Sequence, residues 1–419
     1  MYDVVIVGGG IAGLYRAYTT VSSRPTSSPP PQILVLESSG RWGGRICTVH
    51  APPSLDMEYG AGRFHRGHRR LLALLDAMGL KHRIQPSTGQ TGLDERTYRC
   101  LATVFQHAQK APPDTLATMS WVEYVRRHPS LLSPEDQDHV LGHFGYSSEL
   151  RHMNMVDATA LIRDMVGTSA RRAPTFYTLQ GGLNQLVDRL VAYLQQHGVE
   201  MILDAQVTSV QTTDGVGFNV QRRGATKPYE AREVVLAVPK ESLLRFALLR
   251  PIRPLLATVF TAALCRLYAV FDPDPTTGKP WFAGMKKQAV DSPLRWFIPI
   301  NESTGLAMAS YTDDRYAHHW HRIWQEGGIR AVKTHLREEL RKVFQVHVPT
   351  PKKVYMAYWP SGVGYWRPRT GKLARQTTRE IAERIARPLG NDVPLYVVGE
   401  NYSWSHQQWI EGALSQETK

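Results

Sequence analysis

The sequence contains little cysteine, and what it has is not arranged as a structural framework. Its three cysteines, Cys47, Cys100 and Cys265, are odd in number and widely separated, and no C-x-x-C pair occurs. Neither a disulfide scaffold nor a cysteine-ligated zinc site is therefore predicted. This cysteine usage is typical of a reducing, intracellular setting.

Long hydrophobic runs are also missing. The longest largely apolar stretch, Leu255 to Cys265, is far shorter than the roughly 18 residues that a membrane-spanning segment needs. Met1 is followed almost at once by a strand pattern, and no secretory leader is recognisable. We expect a soluble protein, cytoplasmic or otherwise intracellular, with no membrane contact and with two or three globular units in its 419 residues.

Acidic residues are fewer than basic residues, but the basic excess forms no recognisable binding motif. The 50 Lys and Arg against 37 Asp and Glu give a net charge of +13, which can attract nucleic acid or other anionic partners. The basic residues are scattered and belong to no known nucleic-acid module, so specific nucleic-acid binding is not expected.

The N-terminal region has the pattern of a β-α-β unit. Tyr2 to Val7 and Ile33 to Leu36 are apolar runs that predict strands, and the segment between them is compatible with a helix. A G-x-G-x-x-G motif, Gly8 to Gly13, joins the first strand to the helix, and Glu37 follows the second strand. In this context the motif predicts dinucleotide binding, the alternative being a glycine-rich turn without a ligand.

The three glycines of the motif have different expected roles. Gly8 permits a tight turn, Gly10 lets a pyrophosphate approach the backbone at the helix N-terminus, and Gly13 allows the helix to pack closely on the strand. Glu37 is predicted to accept hydrogen bonds from ribose hydroxyls.

A second glycine-rich turn, Gly40 to Arg45, resembles an element of the flavin amine oxidase family. In that family the acid at the strand end is followed by a G-G-R turn, which here consists of Gly43, Gly44 and Arg45. The resemblance implies that Arg45 approaches the cofactor diphosphate and that the cofactor is FAD and not NAD.

The resemblance covers nearly the whole chain. Glu58 to Gly62 resembles the family's E-x-G-A turn, Gly181 to Leu183 its glycine turn before a long helix, and Val235 to Pro239 its returning strand. Val398 to Glu400 and Gln408 to Leu414 resemble its closing signature. The implied cofactor contacts are Gly8, Gly10, Ile11, Ala12, Gly13, Glu37, Gly44, Arg45, Gly60, Ala61, Gly62, Arg63, Val207, Gly399, Glu400, Gln408, Trp409 and Ile410.

The family's architecture implies an α/β fold with two domains, each discontinuous in sequence. A Rossmann-type FAD-binding domain would comprise residues 1–80, 181–250 and 386–419, and an α+β substrate-binding domain residues 81–180 and 251–385. The fully apolar run Leu395 to Val398 predicts a strand of a buried parallel sheet.

Near the C-terminus, Ser405 to Gln408 fits an S-x-x-Q capping box that would open a final helix. The N-terminus of a helix stabilises negative charge, and in the family this helix points at the N1 and C2 carbonyl region of the flavin. Backbone amides near Gln408 and Trp409 are therefore assigned to flavin stabilisation, the alternative being a helix that only packs.

Tyr365 and Trp409 match two aromatic residues that stand roughly perpendicular to the flavin in monoamine oxidases. Aromatic faces suit an approaching amine and exclude water, and Trp366 is the second choice for the first position. Gly364 stands where some members have a cysteine bonded to the flavin. The FAD is thus predicted to be non-covalent.

Arg266 is a departure from the family pattern. The run Arg266 to Asp272 resembles a strand that in the family reads K-x-x-x-x-F-D, in which the lysine holds a water near flavin N5 and assists oxygen chemistry. Arginine does not readily deprotonate and presents a planar fork, so the resemblance does not carry over fast reoxidation by O2. The alternative is an ordinary strand-end arginine.

Arg63 follows the Glu58 to Gly62 turn, where L-amino-acid oxidases have an arginine that binds the substrate α-carboxylate. A guanidinium fork matches a carboxylate with two parallel hydrogen bonds. Arg63 is therefore a candidate substrate-binding residue, with a cofactor contact or a basic surface including Arg66 and Arg69 as alternatives. Neither the +13 balance nor any acidic cluster near these motifs is expected to offer a compensating site for polyamines or basic peptides.

Taken together, the resemblance predicts oxidation of a C–N bond in a primary or secondary amine or an α-amino acid, by hydride transfer to flavin N5. O2 would be the acceptor, giving H2O2. The alternatives are a flavin desaturase or isomerase acting on an apolar substrate, and a flavoprotein scaffold that turns over little. His318, His319 and His321 have no carboxylate or cysteine partner at a recognisable spacing, so no metal site is predicted.

Overall fold

The structure is a computed structural model that describes residues 1–24, 27, 29–52, 55–87, 93–166, 175–213 and 217–415, the side chains of 163–166 excepted. Among these residues no helix is both long and apolar enough to cross a membrane.

The chain contains both strands and helices throughout its described residues. The strands are β1 (Tyr2–Val7), β2 (Ile33–Leu36), β3 (Thr48–Ala51), β4 (Leu55–Glu58), β5 (Phe64–His65), β6 (Ile84–Pro86), β7 (Phe176–Leu179), β8 (Glu200–Ile202), β9 (Val207–Thr212), β10 (Phe218–Arg222), β11 (Tyr229–Leu236), β12 (Val259–Val270), β13 (Gln288–Ala289), β14 (Trp296–Asn301), β15 (Leu306–Asp313), β16 (Lys353–Trp366) and β17 (Leu395–Val397). The helices are α1 (Ile11–Ser22), α2 (Arg69–Ala77), α3 (Glu95–Ala108), α4 (Pro113–Leu116), α5 (Trp121–Arg127), α6 (Pro134–His143), α7 (Ser147–His152), α8 (Met155–Val166), α9 (Asn184–Gln196), α10 (Lys240–Leu243), α11 (Arg253–Leu256), α12 (Asp314–Phe344), α13 (Thr378–Ala386) and α14 (Ile410–Leu414).

The larger sheet is mostly parallel and has the N-terminal β-α-β unit at its centre. Its strands lie in the order β8-β2-β1-β11-β10-β9, and β17 pairs with β11. β1 runs parallel to β2 and β11, and its residues Val4 to Val7 are all buried, as in an inner strand covered on both faces. Helices α1 and α9 pack on one face and α13 on the other. The predicted strands at the positions of β1, β2 and β17 are confirmed.

The second sheet is antiparallel, in the order β13-β14-β15-β12-β16. Its long strands β12 and β16 pair from Val259 with Trp366 to Val270 with Lys353. Helix α12 packs on one face through Trp320, and helices α3 to α8 cover the other through a core that includes Trp121 and Tyr124. The predicted α/β class is confirmed, with a mostly parallel larger sheet, a five-stranded antiparallel sheet and two small antiparallel sheets, β3-β4 and β5-β7-β6, among the described residues. The domain boundaries stay predictions.

The predicted capping box at Ser405 is wrong. The last helix, α14, begins at Ile410, and its N-cap, Trp409, makes no side-chain capping bond. His406 and Gln408 have φ angles of 52° and 77°, which belong to the left-handed region and interrupt a right-handed helix. The segment after Ser405 is therefore a turn that leads into a short helix.

Candidate active site

A cavity of about 750 Å³ runs between the two sheets. Every predicted site residue except Gly13 and Trp366 lines it. The glycine turn after β1 lies on this cavity, as do residues of β12 and β16 and of the closing segment. The structure thus brings together residues that are up to about 400 positions apart in the chain, from Gly8 to Ile410.

The glycine turn shows three different requirements at its three glycines. Gly8 has a φ of +111°, a backbone conformation that side chains disfavour. A Cβ on Gly13 would lie 2.0 Å from the carbonyl oxygen of Gly8, so helix α1 approaches the strand closely, as predicted. A Cβ on Gly10 would meet only the Cα of Gly44, at 3.8 Å, and would point into open space of the cavity.

Glu37 is held rigidly at the end of β2. Its Oε2 accepts a hydrogen bond from the Gly9 N–H at 2.8 Å, and its Oε1 accepts from the N–H and the hydroxyl of Ser39, both at 2.8 Å. Backbone donors therefore fix the carboxylate beside the glycine turn, where a ribose would lie if a dinucleotide occupied the cavity.

Arg45 and Glu400 connect the second glycine-rich turn to the closing segment. Arg45 Nη1 donates to Glu400 Oε2 at 2.6 Å and to the Gly362 carbonyl at 3.0 Å. Glu400 Oε1 accepts the N–H groups of Gly364 and Gln408 at 3.0 and 2.9 Å. One buried carboxylate therefore joins three segments that border the cavity.

The backbone amides assigned to flavin stabilisation are already engaged within the protein. The N–H of Gln408 donates to Glu400, and the N–H of Trp409 donates to the His406 carbonyl at 3.1 Å. These two N–H groups thus donate within the protein in this structure, and the assignment of backbone amides near them to the flavin stays a prediction.

Tyr365 and Trp409 both line the cavity. The Tyr365 hydroxyl accepts a hydrogen bond from Ser148 Oγ at 3.1 Å, and Trp409 stacks on Phe176 with ring centroids 5.9 Å apart and planes 12° apart. Both rings are therefore held in place by protein contacts. The Trp409 Nε1 has no hydrogen-bond partner among the described residues.

Trp366 does not belong to the site, so its prediction as a substrate contact is wrong. Neighbouring residues of a strand face opposite sides, and with Tyr365 on the cavity side Trp366 enters the core beneath the larger sheet. It is buried, and its Nε1 donates to the Ser403 carbonyl at 2.9 Å.

Arg266 lies in the cavity wall and is fixed by two contacts. Its Nη1 donates to the Glu58 carbonyl at 2.6 Å, and its guanidinium lies 4.4 Å from the ring centre of Tyr311. Burial lowers the pKa of Arg266, but the Tyr311 and Tyr268 hydroxyls more than offset that effect, and the pKa is raised overall. The side chain is therefore permanently charged.

Arg63 also enters the cavity and lies among aromatic rings. Its Nη2 donates to the Tyr146 hydroxyl at 3.2 Å, and its guanidinium is 4.7 Å from the ring centre of Phe176 and 5.9 Å from that of Trp409. The position differs from that of a solvated surface arginine, since aromatic faces surround the charge.

Glu149 is a site residue that sequence reasoning missed. It lies on α7, is 2% exposed, and lines the cavity with Tyr146 and Tyr311. Burial raises the pKa of its carboxyl well above the usual range, Asp313 adds to the increase, and Arg63 opposes it. Helix α7 has six residues, too few to show a periodicity that would reveal which side chains face inward.

The fold is that of an α/β protein, and its cavity begins at a glycine turn of the kind that is typical of dinucleotide-binding domains. The family model described as flavin containing amine oxidoreductase matches residues 11–149 and 135–416. The chain belongs to this family of flavin-dependent enzymes.

Individual proteins resemble this chain either in sequence over a short region or in fold over nearly its whole length. (S)-6-hydroxynicotine oxidase of Paenarthrobacter nicotinovorans is 37% identical over 83 residues, which are 19% of this chain and 18% of that protein. Protoporphyrinogen oxidase of Homo sapiens is 37% identical over 93 residues, 20% and 18% of the two chains. These alignments span less than a fifth of the curated relatives' own length. A solved structure of a putrescine oxidase mutant is similar over 99% of this chain and 96% of that chain, with a TM-score of 0.76 and 16% identity, which shows a shared fold.

The residues present fit the flavin cofactor that the family implies. Open space borders Gly10 at the glycine turn, and Glu37 is fixed beside it. At the other end, buried polar atoms line the cavity without a hydrogen-bond partner among the described residues, namely Gln408 Nε2, Trp409 Nε1 and Asn401 Oδ1. Buried polar groups are rarely left without partners, so these atoms are suited to a polar ligand.

Among the described residues, no group of three or more His, Cys, Asp or Glu is placed to hold a metal ion. His318 and His321 instead contact Tyr358, His318 by a 3.0 Å hydrogen bond and His321 by stacking with centroids 3.8 Å apart.

Proposed function

We propose that this protein oxidises a C–N bond in a primary or secondary amine or an α-amino acid, with non-covalently bound FAD as the hydride acceptor. The observation that carries the proposal is a single cavity that joins the glycine turn and Glu37 at one end to Tyr365, Trp409 and Arg63 at the other. A dinucleotide flavin has the matching extended form, with its adenosine and isoalloxazine groups at opposite ends.

The chain's own residues would hold the cofactor at several points. Glu37 accepts hydrogen bonds from the ribose, Gly10 leaves the backbone open to the diphosphate, and Arg45 supplies positive charge near it. When bound, FAD supplies the hydride acceptor, flavin N5. The protein's part is to place the substrate α-carbon against it and to exclude water.

The non-covalent character of the cofactor is supported by the surroundings of Gly364. A Cβ at this position would lie 2.6 Å from Asn401 Nδ2 and 2.9 Å from Asn401 Cα. A cysteine would not fit there without moving the backbone of the closing segment. Acid precipitation should accordingly release all FAD into the supernatant, whereas flavin that stays with the pellet would refute this part of the proposal.

The substrate end combines aromatic faces with charged groups. Tyr365 and Trp409 present rings to an amine, and Arg63 offers a fork for a carboxylate if the substrate is an α-amino acid. Hydride leaves the α-carbon, and the imine formed is hydrolysed in water. O2 then serves as the acceptor and yields H2O2, with Arg266 in the place of a lysine that assists this step in relatives.

The experiment that tests the proposal is anaerobic mixing of the purified protein with panels of amines, amino acids and isoprenoids while flavin absorbance is recorded. Bleaching by amines or amino acids alone supports it. Bleaching by isoprenoids alone would indicate a desaturase or isomerase, and no bleaching by any panel would indicate a scaffold.

A further inference from the structure

Among the described residues, three acidic side chains line the cavity, and they differ in how many hydrogen bonds their oxygens accept. Glu37 and Glu400 each accept hydrogen bonds at both carboxylate oxygens. Glu149 Oε2 is buried and has no hydrogen-bond partner among the described residues. A buried acceptor without a partner costs free energy, so Glu149 is a carboxyl group in the cavity wall whose hydrogen-bonding capacity the protein itself does not use fully.

The groups around Glu149 come from several elements. Arg63, from the turn after β4, favours ionisation of Glu149, while Asp313 at the end of β15 opposes it. Asp313 accepts a hydrogen bond from the N–H of Ser148, the residue before Glu149. The charge of Glu149 contributes to raising the pKa of the Tyr146 and Tyr365 hydroxyls. No ion pair within 4.0 Å joins Arg63 to Glu149 among the described residues. The carboxyl group is thus available to a cation that enters the cavity.

The chemistry of the proposed function requires a proton acceptor. An alkylamine near neutral pH is an ammonium ion, which has no lone pair to expel a hydride from the α-carbon. A buried carboxylate attracts such an ion strongly, and proton transfer to it is easier when its pKa is raised toward that of the amine.

We propose that Glu149 binds the ammonium group of the substrate and takes up its proton before the α-carbon is oxidised, an inference that rests on the proposed function. One N–H bond of the ammonium breaks, one O–H bond forms on Glu149, and the electron pair stays on the nitrogen. The step changes no oxidation state and needs no further reactant. Glu149 then holds the acidic proton while the neutral amine faces Tyr365 and Trp409.

The test uses the FAD-loaded protein and tert-butylammonium, which has no hydrogen on its α-carbon and cannot be oxidised. Its affinity is measured by calorimetry over a series of pH values. In wild type the affinity should rise with pH through the pKa of Glu149, because the carboxyl must lose a proton to pair with the ammonium, and then reach a plateau. In Glu149→Gln, which has the same size, affinity should fall roughly 10-fold or more and this inflection should vanish.

Two companion variants separate charge from structure. Glu149→Asp keeps a titrating carboxyl and should retain the inflection with weaker binding, which also keeps the test valid if the Gln variant folds poorly. Glu338→Gln, on the exposed side of α12, should bind as wild type does. Wild-type affinity and an unchanged pH profile in Glu149→Gln would overturn the assignment of Glu149. If amines still bleach the flavin, the proposed function survives that result, whereas failure of all amines and amino acids to bleach wild type refutes the proposed function itself.

Discussion

Gly10 and Gly13 belong to the same turn but have opposite surroundings, which allows ligand binding to be separated from folding. A side chain at Gly10 would enter the cavity without meeting protein atoms closer than 3.8 Å, whereas one at Gly13 would collide with the Gly8 carbonyl at 2.0 Å. The first glycine is thus open to a ligand, and the second is needed for packing.

We therefore expect Gly10→Val to give a folded but colourless protein and Gly13→Val to give a protein that fails to fold or melts far below wild type. The measurements are flavin absorbance per protein and thermal unfolding by circular dichroism. Full flavin occupancy in the Gly10 variant would contradict the assignment of this turn to the cofactor.

A variant of Arg63 tests whether the substrate is an amino acid or a simple amine. If it binds the α-carboxylate, Arg63→Ala should lose ~2 to 5 kcal/mol of preference for an amino acid over its decarboxylated amine, because the carboxylate would be buried without a partner. The rates of flavin reduction with the two substrates in wild type and variant provide the measurement. Equal losses for both substrates would leave Arg63 as a residue that only shapes the cavity.

Arg266 should influence the reaction with oxygen more than the stability of the fold. It is charged and fixed to the Glu58 carbonyl, so it does not resemble a flexible ammonium that orders a water molecule. We expect Arg266→Met to change the flavin spectrum and the reoxidation rate, and Arg266→Lys to reoxidise faster than Arg266→Met. Identical spectra and rates in wild type and both variants would reduce Arg266 to a structural role.

At the scale of elements, Glu400 joins the second glycine-rich turn, strand β16 and the closing segment through one carboxylate. Glu400→Gln replaces the carboxylate by a neutral amide, which no longer pairs with the Arg45 charge and has one oxygen instead of two to accept hydrogen bonds. We therefore expect the unfolding free energy to fall by about 1 to 3 kcal/mol and FAD to be retained less well. Urea unfolding and dialysis of the flavin measure the two effects.

The matched control for that variant is Glu383→Gln. Glu383 pairs with Arg379 on the surface of α13, where both side chains are more than half exposed. An exposed pair of this kind contributes little, so the change in unfolding free energy should stay below about 0.5 kcal/mol. If both variants lose the same unfolding free energy, the hydrogen bonds of Glu400 to the three segments do not stabilise the fold.

Sequence predicts the elements of this site better than it predicts how side chains are directed within them. Local apolar runs predict β1 and β2, and with them the position of Glu37 directly after β2. The opposite directions of Tyr365 and Trp366 depend instead on which face of β16 meets the cavity. The false helix start at Ser405 arises because a capping pattern does not reveal the left-handed conformations of His406 and Gln408. Glu149 was missed because its place in the cavity depends on contacts distant in the chain.

At the scale of the whole molecule, one cavity between a mostly parallel and an antiparallel sheet holds the residues on which the proposed chemistry depends. Its far end carries Arg63 and Glu149 beside aromatic rings, a combination that favours a small charged substrate over a long apolar one.

The most direct test of the central claim is the rate of anaerobic flavin reduction by a substrate amine and by the same amine carrying deuterium on its α-carbon. If hydride leaves that carbon, both compounds should bleach the flavin completely, and the deuterated one severalfold more slowly, since the C–H bond breaks in this step. Bleaching at equal rates would contradict rate-limiting hydride removal from the α-carbon, and the absence of bleaching by any amine or amino acid would contradict the proposed function as a whole.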